Sequence, residues 1–308
     1  MAKESLPGGS NYFPHRSPEY NRRFNKFLED VKRHFKEVVI QRMGFRVLEE
    51  PQFQANDTSV VIRFQTEQGR YLFRAPRLEP KQMQRILLAY SHFSQLEIMP
   101  GKIYADHLCL VEEYFEGTPL KANAKEAKLR ELGELLQKLH TIRSKNYGKL
   151  IFGVSGEHQR IEDFVNWIDH DLKVVSDRNL LPEDGFKKLE RILSDHRLAN
   201  SNETYICHGD AGLGNILYSP MGIRMIDWDR ICSMPREYEF FVLRTQFSNS
   251  QMLTLLKSYQ ANLNEKLIDW FALMNLIRLI ALYDPNHPLV KIHLVKIDRF
   301  LETGEFRV

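Results

Sequence analysis

Apolar residues recur at helical spacing near the start of the chain. Ser17-Pro18 is typical of a helix N-cap followed by proline at the first helical position. The apolar residues that follow at intervals of three or four are Tyr20, Phe24, Phe27, Val31, Phe35 and Val38. The pattern predicts an amphipathic helix that ends near residue 40.

A region with strand patterning comes next. Residues 59–64 and 70–74 are rich in β-branched and aromatic residues and flank the turn sequence Thr66-Glu67-Gln68-Gly69, which predicts a β-hairpin. Residues 80–93 return to helical spacing, and Leu108-Cys109-Leu110-Val111 has the composition of a buried strand. This part of the chain is therefore predicted to be a small mixed α and β unit.

From Ala124 onward the pattern is mostly helical. The predicted helices are 124–142, 160–178, 183–197, 237–246, 250–262, 265–283 and 287–302. The exception is the segment 205–228, in which three short apolar runs predict strands.

These elements predict an α+β fold with two lobes. A flexible Gly/Pro/Ser-rich segment covers residues 1–16, a small β-sheet lobe covers 17–113, and a larger, mainly helical lobe covers 114–308. A cleft between two lobes is a usual place for a ligand.

Composition narrows the class of protein. The 308 residues are 43% hydrophobic, which is enough for two lobes with cores, and the net charge of +3 comes from scattered basic residues rather than a nucleic-acid-binding arm. Three widely spaced cysteines predict neither a disulfide framework nor a zinc site. The N-terminus lacks a signal-peptide core, and the most apolar run, 267–282, is interrupted by polar residues. We therefore expect a cytoplasmic protein with no membrane or nucleic-acid partner.

Candidate chemistry is concentrated between residues 208 and 229. His208-Gly209-Asp210 is followed by Asn215 and then by Ile226-Asp227-Trp228-Asp229. Phosphoryl transfer needs a base that orients the acceptor hydroxyl and oxygen ligands that hold Mg²⁺ against the phosphates. Asp227 at the end of an apolar strand is costly to bury unless it is paired or binds a metal. The pattern predicts a nucleotide-phosphate site.

Four motifs in order identify the chain as similar to the aminoglycoside phosphotransferase/choline kinase family, which has a protein-kinase-like fold. HGDAGLGNIL followed by MIDWD resembles the family's core motif. VEEYFEGTPL resembles its hinge, LGELLQKLHTI its Leu-His helix, and YLFRAPR its third strand. The resemblance covers roughly residues 45–245.

The resemblance implies a role for each matching residue. Asp210 is the catalytic base, and His208 supports the loop rather than the chemistry. Asn215 and Asp227 hold Mg²⁺. The residues implied in binding ATP (or GTP) are Arg74 at the α/β-phosphates, Asn56 and Ser59 in the phosphate-covering segment, and the backbone of Glu113, Tyr114 and Phe115 at the adenine.

The sequence departs from the family pattern in the nucleotide-binding lobe. The phosphate-covering segment 54–59 is not glycine-rich, although small polar side chains and amides also bind phosphate. Arg74 stands in place of lysine, so a planar fork replaces a point charge. No acid lies between Lys81 and Gln95, where a helix would offer a glutamate to pair with this base. Either a glutamine substitutes or the ion pair is absent.

The expected activity is transfer of a phosphoryl group to a small-molecule hydroxyl. Tyr238-Glu239 is similar to hygromycin-type antibiotic kinases, and a cationic aminosugar would need an acidic pocket. The acidic candidates for acceptor binding are Glu162, Asp169, Glu237 and Glu239. The basic net charge leaves a neutral sugar or an amino alcohol open.

Two other functions fit the same fold. A nucleotide-binding pseudoenzyme or interaction module would explain the missing helix acid and the loop without glycines. A protein kinase ranks last, because the short span after Asp227 leaves little room for an activation segment.

Overall fold

The computed structural model describes residues 18–55, 59–76, 82–195 and 203–306. The predicted flexible segment 1–16 and the candidate phosphate-binding residue Asn56 lie outside these ranges. The chain divides into two compact units. The first comprises Met1–Gln84 and Gly101–Tyr114, and the second comprises Arg85–Pro100 and Phe115–Val308.

The first unit is built on a five-stranded antiparallel sheet with the order β1-β2-β3-β5-β4. Its strands are β1 (Gln52–Ala55), β2 (Ser59–Thr66), β3 (Gly69–Pro76), β4 (Lys102–Ala105) and β5 (Leu110–Glu113). The predicted hairpin is confirmed, because β2 and β3 pair from Ser59↔Pro76 to Thr66↔Gly69.

The predicted N-terminal helix is also confirmed. Helix α1 (Pro18–Phe35) continues as a π-helical turn over Lys36–Arg42. Its apolar residues Phe24 and Phe35 are buried in one core together with Ile62 and Phe73 of the sheet. Burial of this face holds the helix on the sheet, because fully burying a side chain of this size contributes roughly 1.5–3 kcal/mol.

The second unit contains two further sheets, ordered β7-β10-β13-β8-β9 and β12-β11-β6. Their strands are β6 (Thr118–Pro119), β7 (Arg143–Ser144), β8 (Tyr147–Phe152), β9 (Ser155–His158), β10 (Thr204–Cys207), β11 (Ile216–Ser219), β12 (Gly222–Met225) and β13 (Cys232–Met234). The helices are α2 (Gln82–Phe93, mostly in this unit), α3 (Glu126–Leu139), α4 (Ile161–Val165), α5 (Ile168–Asp177), α6 (Glu183–Leu193), α7 (Phe241–Arg244), α8 (Asn249–Tyr259), α9 (Glu265–Leu282) and α10 (Pro288–Thr303).

The segment Arg85–Pro100 belongs to the second unit, whereas the sequence pattern placed it in the first lobe. Two contacts explain the difference. The Phe93 ring packs 5.2 Å from the Trp228 ring, and the backbone N–H of Met225 donates to Ile98 O at 2.7 Å. These contacts join α2 and the residues after it to the strands around Asp227.

The sequence pattern predicts no element between the helices 124–142 and 160–178, whereas the structure has β7, β8 and β9 within residues 143–158. These short strands are held by pairing with β10 and β13, and local periodicity does not record such pairing. The predicted helix 160–178 is two helices, α4 and α5, and the predicted helix 237–246 is a 3₁₀ turn (Arg236–Phe240) followed by α7. No helix in the described ranges is long and apolar enough to cross a membrane.

Candidate active site

The catalytic candidate Asp210 follows directly from a buried strand. All four residues of β10 are buried, and β10 pairs with β13, which places Cys207 opposite Cys232. The chain then leaves the sheet through His208 and Gly209, and the Asp210 side chain is about one-third exposed (36%). Its Oδ2 lies 3.8 Å from Nε of Arg230, which is 66% exposed. Asp210 is thus held on a rigid support and still reachable from solvent.

Gly209 lets this loop pass close to the neighbouring chain. Its φ is +77°, and a Cβ at this position would lie 2.3 Å from the Arg230 carbonyl oxygen and 3.1 Å from Cys232 Sγ. Any side chain here meets both a backbone clash and a backbone conformation that favours glycine.

We expect Gly209→Ala to lower the free energy of unfolding by at least about 1–3 kcal/mol, the usual cost of a residue held in a sparsely populated backbone region. Chemical denaturation measures the change. Gly214→Ala is the matched control in the same loop, because no atom lies within 4 Å of its added Cβ and its φ is not positive. Equal stabilities of the two variants would contradict this account of the loop.

The His208 side chain joins the two polar segments of the motif. It is fully buried, its Nε2 donates to the Ile226 carbonyl at 2.9 Å, and its Nδ1 accepts the N–H of Asp210 at 3.3 Å. These two bonds set the tautomer that carries hydrogen on Nε2. The ring also packs edge-on against Trp228, with centroids 4.6 Å apart. The imidazole thus ties the Asp210 loop to the residue that precedes Asp227.

Asn215 makes a second link between the same segments. Its side-chain Nδ2 donates to the backbone carbonyl of Asp210 at 2.9 Å, and its backbone carbonyl accepts the N–H of Ile226 at 2.9 Å. Because the amide nitrogen is engaged, the amide oxygen is the atom left to act as a ligand. Asp227 has a left-handed backbone (φ 68°, ψ 56°), which is uncommon outside glycine and clusters at functional sites. The structure therefore brings the segments of Asp210, Asn215 and Asp227 together.

Glu239 lies beneath the His208–Asp210 loop and not in an acceptor pocket. It is 1% exposed, and its Oε2 accepts the backbone N–H of His208 at 2.6 Å. His140 Nε2 lies 3.6 Å from the same oxygen, and His140 Nδ1 lies 2.7 Å from the Tyr259 hydroxyl. A solute cannot reach this carboxylate, so Glu239 is corrected from an acceptor residue to a support of the loop.

His140 belongs to the Leu-His helix motif, which the sequence pattern singled out without giving its histidine a function. Cys207 lies next to His140 and is fully buried. Burial raises the pKa of the Cys207 thiol well above its usual value. Cys207 Sγ lies 3.8 Å from His140 Nε2 and from the Met234 carbonyl. The protonated thiol thus packs as a weak donor next to the carboxylate of Glu239.

The other acidic candidates have separate surroundings. Glu162 in α4 is half-buried, and its charge adds to the effect of burial in raising the pKa of Tyr147. Asp169 is exposed and lines a groove between α5 and α6 that also contains Lys173 and Lys187. Glu237 Oε1 accepts the N–H of Asn264 at 3.1 Å. The structure does not gather these carboxylates into one acidic pocket.

In the first unit, Arg74 has an acidic partner that the sequence pattern did not identify. Arg74 on β3 is 8% exposed, and its Nε lies 3.8 Å from Oε1 of Glu112 on β5. Ser59, at the start of β2, is buried and pairs with Pro76. The signal for Glu112 was its place directly after the predicted buried strand 108–111.

Two of the three hinge candidates already have their backbone N–H groups hydrogen-bonded within the first unit. The N–H of Glu113 donates to Gly101 O at 2.8 Å, and the N–H of Tyr114 donates to Arg70 O at 2.9 Å. An adenine therefore cannot take either N–H without breaking a bond of the sheet. These two bonds do not involve the N–H of Phe115 or the carbonyls of Glu113 to Phe115, so an adenine could bond to those groups.

Antiparallel sheets and helices, together with a His-Gly-Asp loop bonded to Asn215 and to Ile226 just before Asp227, define a protein-kinase-like phosphotransferase. A family model described as "Phosphotransferase enzyme family" matches residues 52–273, more than half of the chain. The chain belongs to this family, and it is a kinase that acts on a hydroxyl group of a small molecule. No curated protein sequence matches it significantly.

Solved structures share the fold at low sequence identity. The choline kinase LicA from Streptococcus pneumoniae is 15% identical with a TM-score of 0.64, covering 89% of this chain and 99% of its own. A thermostable aminoglycoside phosphotransferase APH(4)-Ia, in complex with AMP-PNP and hygromycin B, is 16% identical with a TM-score of 0.62, covering 87% and 98%. The macrolide 2'-phosphotransferase MphH from Brachybacterium faecium is 14% identical with a TM-score of 0.61, covering 88% and 94%.

Proposed function

We propose that the protein transfers the γ-phosphoryl group of ATP (or GTP) to a hydroxyl of a small molecule, with Asp210 as the base. The observation that carries this proposal is the set of bonds through which His208 and Asn215 tie the Asp210 loop to Ile226. A carboxylate held in this way orients the acceptor hydroxyl toward the phosphate and takes its proton. Partial exposure of Asp210 lets an acceptor reach it.

Asn215 and Asp227 would hold Mg²⁺. Their side chains fit this ion, because an amide oxygen and a carboxylate are the hard oxygen ligands that Mg²⁺ prefers alongside phosphate and water. When bound, Mg²⁺ neutralises charge that develops on the transferring phosphoryl group. The backbone bond between Asn215 and Ile226 supports this assignment, because it fixes the spacing of the two ligand residues.

Nucleotide contacts are assigned to residues of the first unit and its hinge. Arg74 would contact the α/β-phosphates through its planar guanidinium, with Ser59 and Asn56 near the phosphate-covering segment. The adenine would bond to the carbonyl of Glu113 and the N–H of Phe115, next to Tyr114. The AMP-PNP in the complex of APH(4)-Ia supports ATP as the phosphoryl donor.

The acceptor is a hydroxyl compound that is either neutral or carries few positive charges. Glu162, Asp169 and Glu237 stay candidates for contacting it, but they are spread over α4, α5 and the turn before α7. Arg230 beside Asp210 disfavours a polycation at the base. A screen of ADP release over aminoglycosides, choline-like alcohols, sugars and nucleosides tests this proposal, and turnover confined to polycationic aminoglycosides would contradict it.

Nucleotide binding can be tested without knowing the acceptor. Mg-ATP or Mg-GTP at about 100 times its dissociation constant is expected to stabilise the protein by roughly 2.7 kcal/mol, because it binds only the folded state. Thermal unfolding with and without nucleotide measures this, and chelation of Mg²⁺ by EDTA should remove most of the shift. The absence of a shift with every nucleotide would reject the proposed function.

A further inference from the structure

The acid that pairs with Arg74 comes from a neighbouring strand. In the β3–β5 pairing, Leu72 lies opposite Glu112 and Arg74 lies opposite Leu110. Side chains at positions 74 and 112 therefore share one face of the sheet as diagonal neighbours, a separation that long side chains reach. Their charged ends meet at 3.8 Å, and the side chains are only 9% and 6% exposed.

Helix α2 offers no such acid. Its sequence, QMQRILLAYSHF, contains neither aspartate nor glutamate. The sequence pattern left two outcomes open, a glutamine in place of the acid or no ion pair. The geometry provides a third outcome, in which Glu112 supplies the carboxylate from within the sheet.

We propose that Glu112 is the positioning residue for Arg74, holding its guanidinium in the orientation that binds the nucleotide phosphates. The proposal rests on the proposed function, because Arg74 has to contact phosphate for its orientation to matter. Glu112 does not touch the nucleotide; it acts through Arg74. A carboxylate at this distance restrains the guanidinium, which carries a rigid planar set of donors on a long stem.

This origin of the acid has a consequence for regulation. Both partners lie on strands whose separation is set by backbone hydrogen bonds between β3 and β5. An acid on a helix would pair with the base only when that helix is correctly placed, so helix movement could switch the site on and off. Here the pair forms wherever the first unit is folded. The Arg74–Glu112 pair is therefore a feature of the folded sheet itself.

A double-mutant cycle tests the proposal with Glu112→Gln, Arg74→Met and the combined variant. Glu112→Gln is nearly isosteric and removes the charge that neutralises a buried cation, so it is expected to lower the melting temperature. The combined variant removes both charges and is expected to fold more stably than Glu112→Gln alone. Glu67→Gln is the matched control, since it breaks the exposed ion pair with Arg46 in the same unit.

The catalytic readout separates positioning from a purely structural role. With an acceptor from the ADP-release screen, Glu112→Gln is expected to lower kcat/KM for ATP by about 10-fold to 10²-fold, the size of effect that a small misplacement produces. In the Arg74→Met background the same change is expected to have an effect of less than about twofold, because two residues that act as one unit are not additive. Binding of adenosine, which lacks phosphate, should be the same in all four proteins.

Each outcome decides between the two proposals. Equal losses in both backgrounds, or a matching loss of adenosine binding, would overturn the role of Glu112 and leave the proposed function intact. Full activity of Glu112→Gln would do the same. A wild-type protein that binds no Mg-ADP would reject both, and the stability cycle on nucleotide-free protein would then show only whether the ion pair itself forms.

Discussion

Asp210→Asn is expected to lower the rate of ADP release by about 10²-fold or more and to leave nucleotide binding unchanged. The amide keeps the size of the side chain and the backbone bonds of the loop, so the N–H of Asp210 still donates to His208 and its carbonyl still accepts from Asn215. What it loses is the ability to take a proton from the acceptor hydroxyl. The thermal shift produced by Mg-nucleotide measures binding, and steady-state kinetics with an acceptor from the screen measures turnover.

The matched control for this change is Asp177→Asn, a carboxylate-to-amide substitution at the exposed end of α5. It is expected to behave as the wild-type protein in both measurements. If turnover of Asp210→Asn stays within about threefold of wild type, then Asp210 is not the base, because general base catalysis contributes at least about 10²-fold. If nucleotide binding is lost as well, the residue acts in binding and not in the chemical step.

Glu239→Ala is the second variant with a large expected effect. It removes the acceptor of the His208 N–H, and a buried N–H without a partner costs about 1–3 kcal/mol of stability. The backbone that carries Asp210 is then free to shift, and a displacement of about 1 Å at a catalytic group can lower turnover by about 10²-fold. We therefore expect reduced stability together with a reduced kcat, while KM for ATP changes little.

Glu239→Gln separates the hydrogen bond from the charge. The glutamine keeps an oxygen that can accept the His208 N–H, so it is expected to restore most of the activity lost in Glu239→Ala. Amide hydrogen exchange at His208 reports the bond directly, and it should be faster in Glu239→Ala than in Glu239→Gln. Glu265→Gln, an exposed carboxylate at the start of α9, serves as the control. Equal exchange and equal turnover in the two Glu239 variants would contradict the role assigned to this residue.

The structure confirms the parts of the fold that depend on local patterns. The β2–β3 hairpin, α1 and the strands around the His-Gly-Asp motif are present where the spacing of apolar residues predicts them. The strands within residues 143–158 were not predicted, and they exist because they pair with β10 and β13. Sheet pairing between distant segments is decided by tertiary packing, so propensity read along the chain does not reveal it.

The candidate site also contains residues that the sequence predicts and residues that only the packing reveals. The motif residues Asp210, Asn215 and Asp227 follow from residue type and spacing, because phosphoryl transfer demands a base and oxygen ligands near each other. In the sequence, Glu239 cannot be told apart from the exposed acidic residues near it. Only its burial in the structure, with 1% exposure, distinguishes it from a residue that contacts the acceptor. Burial of a charged group depends on how helices and strands pack around it, and single-sequence patterns do not contain that information.

The sequence by itself predicted the candidate groups for phosphoryl transfer, and all of them lie within residues 52–273, which the family model matches. The tertiary structure decided which residues support those groups. His208 and Glu239 meet although they are 31 residues apart, and Arg74 meets an acid on another strand. The physical reason is that catalytic groups are constrained by the chemistry they perform. Their supports need only a buried partner at bonding distance, which any segment brought close by folding can provide.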